Sequence, residues 1–244
     1  MSTLFIALGL SLVGGLGGLL VASGVLLIKD SARTRMLPWL VSYAVGALLG
    51  VAMLGILPSA LDDLPAPTVF GTLLGGILLF FVLEKLVLWR HCHTHDCEVH
   101  SGSVVPVLVG DAFHNFVDGA AIAAAVLISV PVGISTAVAV AAHEIPQEVG
   151  DFAILLHAGY SRRRALLVNV ISGLSSALGA GLAWMAFGWL PHALPYFLVL
   201  AASSFLYVAM ADLIPGLHRG RTDASSLRQI LFIAAGVATS LFVL

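Results

Sequence analysis

Long uncharged apolar runs recur along the whole chain, and short connectors with prolines and charges separate them. A helix needs about 20 consecutive apolar residues to cross a bilayer. Eight runs come close to or exceed this length, at 4–28, 37–61, 68–89, 104–129, 132–157, 165–190, 193–214 and 227–244. We therefore predict an all-α integral membrane protein with eight transmembrane helices in a single domain over residues 1–244.

Composition supports lipid as the outer solvent. Of 244 residues, 59% are hydrophobic and 10% are charged, whereas soluble domains carry charges at about a quarter of their positions. The first run, 4–28, exceeds the core of a signal peptide and lacks a basic leader, which predicts a retained span. Two cysteines cannot form a disulfide framework. We expect the lipid bilayer as a partner and no nucleic acid.

The basic residues predict the orientation of the spans. All 11 lysines and arginines fall at one end of the predicted helices. They are Lys29, Arg33, Arg35, Lys85, Arg90, Arg162, Arg163, Arg164, Arg219, Arg221 and Arg228. The positive-inside bias makes this end cytoplasmic. Both termini are then predicted on the extracellular or periplasmic side.

Ionisable residues concentrate in the two central spans. Inside a bilayer each costs on the order of 3 kcal/mol on insertion scales, and such residues tend to mark pathways. The fourth span contains Asp111, His114, Asn115 and Asp118, and the fifth contains His143, Glu144, Gln147, Glu148 and Asp151. Elsewhere the chief polar candidates within spans are Asn169 and Asp212.

The spacing of these residues predicts two facing stripes. Positions three and four apart lie on one face of a helix, and the short turn around Pro131 makes the two spans antiparallel neighbours. The stripes then offer a cage of four donors with an adjacent position beside it. The four donors are His114, Asp118, His143 and Gln147, and the adjacent position is formed by Asn115 and Glu144.

The donor types predict the class of ion. Imidazole and carboxylate without thiolate suit zinc, iron(II) or manganese rather than copper(I). Pro146 has no N–H for the carbonyl of Ala142, which loosens the helix beside the donors. Further candidates for an exit path or a secondary site are Asp111, Glu148, Asp151 and Met53.

A second candidate metal tract lies in the predicted cytoplasmic loop at 91–103. It contains His91, Cys92, His93, His95, Cys97 and His100. Histidine- and cysteine-rich tracts of this kind bind metal ions, and we assign this one a receiving or sensing role. The alternative is a solvated loop of coincidental composition.

Three other interpretations of the polar stripes are open to test. Polar residues that only join helices are normally Ser, Thr, Asn or Gln, whereas these stripes carry five carboxylates and two imidazoles. A proton or cation channel would use the same stripe. A membrane metalloprotease would need the H-E-x-x-H helix, but Gln147 stands at the second histidine and Pro146 interrupts the motif. We predict no enzyme and no cofactor beyond the transported ion.

Two strings in the central spans resemble the signatures of the ZIP (Zrt-/Irt-like) family of metal transporters. These are G-D-A-F-H-N-F-V-D-G at 110–119 and H-E-I-P-Q-E-V-G-D-F-A-I-L-L-H-A-G at 143–159. Weaker matches are F-L-Y-V-A-M-A-D-L-I-P at 205–215 and L-G-I-L-P at 54–58. The resemblance extends over nearly the whole chain.

The resemblance implies transport of zinc, and of related ions such as cadmium, iron or manganese, into the cytoplasm by alternating access. By motif position it assigns the primary metal site to His114, Asp118, His143 and Gln147. It assigns the second site to Asn115 and Glu144, with Gln147 bridging the two sites. Family members usually have His or Glu at this position. Some also complete the second site with an acidic residue in the sixth span, where 172–177 offers only hydroxyls.

These departures predict that the primary site is retained and that the second site is weak or absent. The chain lacks the long histidine-rich domains of some eukaryotic relatives, which favours a compact bacterial form. We therefore expect a bacterial inner membrane as its location, and a homodimer is a further candidate state.

Overall fold

The computed structural model describes residues 2–91, 105–217 and 224–244. Because a bilayer offers no hydrogen bonds to the backbone, each crossing segment satisfies its own backbone as a helix. Eight long helices follow one another in the described residues. They are α1 (Ser2–Leu27), α2 (Asp30–Gly50, continued by Val51–Ile56 and Leu57–Asp63), α3 (Ala66–His91), α4 (Val105–Ile128), α5 (Val130–His157), α6 (Arg162–Trp189), α7 (Leu194–Tyr207, continued by Val208–Leu213 and Ile214–Leu217) and α8 (Ala224–Val243).

Seven of these helices are long and apolar enough to cross a membrane in the described part of the chain. The exception, α5, has 28 residues and is therefore about 42 Å long, well above the bilayer core of about 30 Å. Its lower hydropathy comes from the ionisable stripe itself. The all-α membrane fold is therefore confirmed, and α5 is less apolar than the other spans because it carries His143, Glu144, Gln147, Glu148 and Asp151.

The helix ends follow local capping chemistry. A single residue, Ser129, separates α4 from α5, and its hydroxyl accepts a hydrogen bond from the Val132 N–H at 3.3 Å. Pro131 occupies the first turn of α5, where its missing N–H would have no helical partner. Ser161 caps α6 in the same way through the N–H of Arg164. The short α4–α5 connection makes these two helices antiparallel neighbours.

Two helices contain a π-helical turn in their second half. The turns are Val51–Ile56 in α2 and Val208–Leu213 in α7, and each ends two residues before a proline, Pro58 or Pro215. Proline cannot donate to the helical ladder, so the hydrogen-bond register before it is disturbed. Turns of this type occur frequently at functional sites.

The eight helices pack as two groups. α1, α4, α5 and α6 contact one another, whereas α8 packs on α2, and α7 packs on α3. The main contact between the groups is made by α5 against α2, with a smaller one between α4 and α7. The polar face of α5 therefore lies close to the boundary between the two groups.

A reciprocal pair of glycines brings α4 and α6 into backbone contact. A Cβ on Gly119 would collide with the carbonyl oxygen of Ser176, and one on Gly179 would collide with that of Phe116. Small residues allow this close approach in membranes. The hydroxyl of Ser175 also donates to the carbonyl of Ala112 at 2.6 Å. These contacts set the height of α6 against the polar stripe of α4.

Candidate metal centre

The polar stripes of α4 and α5 face each other inside the bundle. Six of their side chains are no more than 6% exposed: Asp111, Asn115, Asp118, His143, Glu144 and Glu148. His114 keeps 24% of its side-chain surface exposed. The Nε2 atoms of His114 and His143 lie 3.2 Å apart. The predicted face-to-face arrangement of the two stripes is therefore confirmed.

Two imidazoles and two carboxylates surround a common centre. One ligand atom from each of four residues lies within 4.8 Å of the other three, and the residues are His114, Asp118, His143 and Glu144. Asp118 Oδ2 is 3.0 Å from His143 Nε2 and 3.6 Å from His114 Nε2. Glu144 Oε1 is 3.5 Å from His114 Nε2 and 3.7 Å from His143 Nε2. We call these four residues the histidine cluster.

The spacing within the histidine cluster fits a tetrahedral ion. Zinc bonds to nitrogen and oxygen ligands are about 2.0–2.2 Å long, which places two ligand atoms of a tetrahedron about 3.4 Å apart. The five ligand–ligand distances given above range from 3.0 to 3.7 Å. A zinc ion therefore needs only small side-chain adjustments to bind all four atoms.

The orientation of His143 is determined by its second ring nitrogen. Nδ1 lies 3.1 Å from the carbonyl oxygen of Ala139, and a carbonyl can only accept, so Nδ1 donates the hydrogen bond. The neutral ring then presents the Nε2 lone pair to the centre of the cluster, as in many metal-binding histidines. Phe205 of α7 lies against the ring, with centroids 6.4 Å apart, and this contact joins the two helix groups beside the site.

Gln147 and Asn115 converge on Asp111 rather than on the histidine cluster. The Asp111 Oδ1 atom accepts hydrogen bonds from Gln147 Nε2 at 3.3 Å and from Asn115 Nδ2 at 3.1 Å. Glu144, expected at the adjacent position, instead lies within the histidine cluster. Metal ligation by Gln147 and Asn115 therefore stays a prediction. In this conformation both side-chain amides donate hydrogen bonds to Asp111.

A second group of carboxylates adjoins the histidine cluster through Glu144. Ligand atoms of Asp111, Glu144 and Glu148 all lie within 4.8 Å of one another. We call these three residues the carboxylate cluster. The Glu144 side chain belongs to both clusters, so the two candidate centres share one ligand.

A cavity of about 750 Å³ leads to the site from one end of the bundle. It is lined by Asp111 and His114 of α4, His143, Gln147 and Asp151 of α5, and Val208 and Asp212 of the π-helical turn in α7, among others. This is the end of the bundle where Arg162–Trp189 begins, with its three arginines. It is the end that the charge rule predicts to be cytoplasmic.

The opposite side of the histidine cluster is closed by tight apolar packing. Every residue of α4 from Ala120 to Val126 is at most 5% exposed, and the facing part of α5 is also rich in buried alanine and valine. Small side chains let the helices approach closely there. Among the described residues, the site is therefore accessible through the cavity and closed on the opposite side.

Other predicted residues have different outcomes. Met53 is 52% exposed and is not among the residues that line the cavity. Asp151 lines the cavity but belongs to neither cluster. The tract from Cys92 to His100 and the side chain of His91 lie outside the described residues.

Two polar residues of α6, Asn169 and Ser172, are also buried inside the bundle. Asn169 and Ser172 are 0% and 4% exposed, and neither side chain has a hydrogen-bond partner among the described residues. Asn169 was visible in the sequence as an isolated polar residue in a span, and Ser172 follows one helical turn later. The contact of Phe205 with His143 had no signal in the sequence.

Comparison with known proteins decides the family. A family profile described as "ZIP Zinc transporter" matches residues 90–244. Zinc transporter ZIP13 of Pongo abelii is 33% identical over 239 residues, which cover 89% of this chain and 71% of that protein. The chain belongs to the ZIP family. Human ZIP13 is 30% identical over 275 residues, covering 89% of this chain and 74% of that protein.

Other ZIP relatives match over about half of this chain. Human zinc transporter ZIP4 is 44% identical over 115 residues, which cover 47% of this chain and 18% of that protein. The chain thus spans less than a fifth of ZIP4. The ZIP family profile covers α4 to α8 in the described residues and therefore every residue of both clusters.

Membership of the ZIP family confirms two predictions. The chain is a membrane transporter rather than an enzyme, and divalent metal ions are the class of ion that it transports.

Proposed function

We propose that this ZIP protein carries zinc and related divalent ions into the cytoplasm, and that the histidine cluster is the main binding site on the path. The observation that supports this most strongly is the set of five ligand–ligand distances, 3.0 to 3.7 Å, around one centre. Relatives in several animals are named zinc transporters, which favours zinc as the physiological ion.

The arrangement of charges favours an inward direction. Two carboxylates in the histidine cluster offset the charge of a divalent ion inside the bilayer. At an inside-negative potential of about 100 mV, each elementary charge moved fully inward gains about 2.3 kcal/mol. The cavity at the predicted cytoplasmic end provides a route for release. The ion and its hydration water then leave past Asp111 and Asp151, which line that cavity.

Loading from outside requires the sealed side to open. The histidine cluster belongs to α4 and α5, whereas Phe205 beside His143 belongs to the other helix group. A displacement of α4 and α5 against α7 would separate this contact and expose the site to the outside. Pro146 lies within α5 directly after the cluster residues and reduces the stiffness of the helix there.

The proposal is tested with purified protein in liposomes that enclose a zinc-sensitive dye. Wild-type protein should take up zinc saturably, with competition from cadmium, and the double variant His114→Ala with His143→Ala should lose the uptake. His192→Ala is the matched control, because His192 is exposed in the turn before α7. Unchanged uptake in the double variant would reject the site, and an ohmic zinc current would indicate a channel instead.

We also propose a bacterial inner membrane as the location and a homodimer as the working state. Short connectors between the described helices favour the compact form. Gly71 and Gly75 of α3 are exposed, and a Cβ on either would meet nothing within 4 Å; glycines four apart are a common helix-contact motif in membranes. Light scattering of the detergent-solubilised protein should give the mass of two chains, and a monomeric mass would reject the dimer.

A further inference from the structure

We propose that a cavity between α2, α7 and α8 binds the phosphate headgroup of an anionic phospholipid. The cavity has a volume of about 660 Å³, within the range of about 300–1,000 Å³ that is common for small-molecule sites. Among the residues that the structure describes, no member of either metal-binding cluster lines it. The proposal therefore goes beyond the proposed transport function and does not depend on it.

Two arginines from different helices line this cavity. Arg35 lies near the start of α2 and Arg228 near the start of α8. The carboxyl group of Asp212 in α7 also lines the cavity, so two guanidinium groups face one acid. Among the side chains that the structure describes, neither arginine forms an ion pair with a carboxylate. Because a guanidinium group matches phosphate with two parallel hydrogen bonds, the cavity favours a phosphate group.

An aromatic pair positions one of the two arginines. The guanidinium carbon of Arg228 lies 5.7 Å from the centroid of the Trp39 ring. Trp39 in turn stacks on Phe232, with ring centroids 6.0 Å apart and the ring planes 4° apart. A cation–π contact holds a guanidinium group through the face of the ring, and it leaves the N–H donors of the arginine available. Arg228 can therefore donate to an anion without first losing a protein acceptor.

The position and the apolar lining of the cavity favour a phospholipid over a soluble phosphate compound. Both arginines lie at the end of the bundle that the charge rule predicts to be cytoplasmic, where basic pockets between transmembrane helices bind phospholipid headgroups. Leu37 and Val41 of α2 also line the cavity. Val41 follows Arg35 by about 9 Å of helix rise, so the apolar part lies deeper in the bilayer. A phosphate at the arginines would leave its acyl chains beside these apolar residues.

One helical turn separates this cavity from the cavity that leads to the metal centre. Asp212 and Leu213 belong to the π-helical turn of α7, and both residues line the two cavities. A headgroup bound at Arg35 and Arg228 would contact this turn without entering the route of the ion. The lipid site and the metal centre are therefore separate sites with a common wall.

Native mass spectrometry of the purified protein tests the site, with phosphatidylglycerol as the anionic probe and phosphatidylcholine of the same acyl chains as the neutral one. The wild-type protein should bind one phosphatidylglycerol per chain at least tenfold more tightly than phosphatidylcholine. Arg35→Gln with Arg228→Gln should remove this preference. The matched control is Arg162→Gln with Arg163→Gln, which removes two exposed arginines that do not line the cavity, and it should keep the preference. Equal loss in the two double variants would overturn the proposal, because it would show that only net charge attracts the lipid.

Two further measurements separate lost binding from misfolding and identify the source of the phosphate. Arg35→Lys with Arg228→Lys keeps both charges and should retain more phosphatidylglycerol than the glutamine variant. A glutamine variant that melts like wild type and still prefers phosphatidylglycerol would reject the site. Glycerophosphoglycerol has the same headgroup without acyl chains, and at equal concentration it should not displace the lipid. Displacement would assign the cavity to a soluble phosphate compound and overturn the lipid assignment. None of these measurements involves zinc uptake, so their failure would leave the proposed transport function intact.

Discussion

His114 and His143 present their Nε2 atoms to each other at 3.2 Å, although 29 positions separate them in the sequence. His143 donates from Nδ1 to Ala139, so its neutral ring offers a lone pair at Nε2. The two Nε2 atoms are therefore close enough for one divalent ion to bind both. A neutral ring keeps one N–H when its other nitrogen binds a metal, as His143 does through Nδ1.

Asp118 is expected to be essential for affinity, because its Oδ2 lies 3.0 Å from His143 Nε2. Asp118→Asn keeps the shape and removes the charge. Even supporting residues around a metal cost about 10–100-fold in affinity when mutated, so a ligand should cost at least tenfold. The half-saturating zinc concentration for uptake into liposomes measures this effect.

The matched control for Asp118 is Asp62→Asn, in which an exposed acid undergoes the same change. The control should keep the wild-type half-saturation. If Asp118→Asn also does so, Asp118 is not a ligand in the transport cycle.

Gln147→Glu should make the melting temperature of the protein more dependent on zinc than that of wild type. Gln147 Nε2 donates to Asp111 Oδ1 at 3.3 Å, and a glutamate there would face Asp111 with a like charge. We expect the metal-free variant to melt at a lower temperature than wild type. Zinc should raise its melting temperature by more than it raises that of wild type, because the ion then gains a charged ligand.

Thermal unfolding with and without zinc checks this prediction, with Gln229→Glu of α8 as the control. Gln229 belongs to neither cluster and lines a different cavity, so its variant should show the wild-type response to zinc. Equal zinc shifts for Gln147→Glu and wild type would place residue 147 outside the coordination sphere.

Gly179→Ala should destabilise the protein. A Cβ at Gly179 would collide with the carbonyl oxygen of Phe116, a backbone atom that cannot move aside alone. Overpacking of this kind costs about 1–3 kcal/mol. Gly188→Ala on the same helix is the matched control, because its Cβ would meet nothing within 4 Å.

The melting temperatures of the two glycine variants in detergent compare them directly. Gly188→Ala should match or exceed wild type, since alanine is the better helix former. A Gly179→Ala protein as stable as Gly188→Ala would contradict the close α4–α6 contact.

Pro146→Ala should separate transport rate from affinity. Alanine restores an N–H to the carbonyl of Ala142 and stiffens α5, and proline inside a helix costs about 3 kcal/mol. We expect a slower maximal rate of zinc uptake with an unchanged half-saturating concentration. Pro131→Ala is the control, because Pro131 lies in the first helical turn, where proline is tolerated. Equal maximal rates for the two variants would remove Pro146 from the transport step.

Hydropathy was sufficient to predict most of the fold. The predicted span 104–129 corresponds to Val105–Ile128, and 132–157 corresponds to Val130–His157. Apolar runs specify spans because the bilayer leaves the helix as the solution for a single crossing segment. The π-helical turns in α2 and α7 were not predicted. A proline in the sequence indicates that the helical hydrogen-bond pattern before it is disturbed. Packing against the neighbouring helices determines whether the result is a π-helical turn or a kink.

The sequence predicted which residues form the two polar stripes of the candidate site, but not which side chains contact one another across them. Helical periodicity indicated which residues share a face, and the one-residue turn at Ser129 made the two stripes neighbours. Helical periodicity did not predict that Glu144 would lie beside the two histidines or that Gln147 would donate a hydrogen bond to Asp111. Those partners depend on the rotation of α5 about its own axis, which the helical repeat does not determine.

The sequence by itself determined the membrane fold, the side on which the basic residues lie, and the two stripes that carry imidazoles and carboxylates. Each of these follows from local rules: the hydrophobic thickness of the bilayer, the positive-inside bias and the 3.6-residue repeat of the helix. The tertiary structure decided which donors meet at one centre and which end of the site is open. Those outcomes depend on the rotation and height of one helix against another, and contacts such as Gly179 against Phe116 set these through packing between residues far apart in the chain.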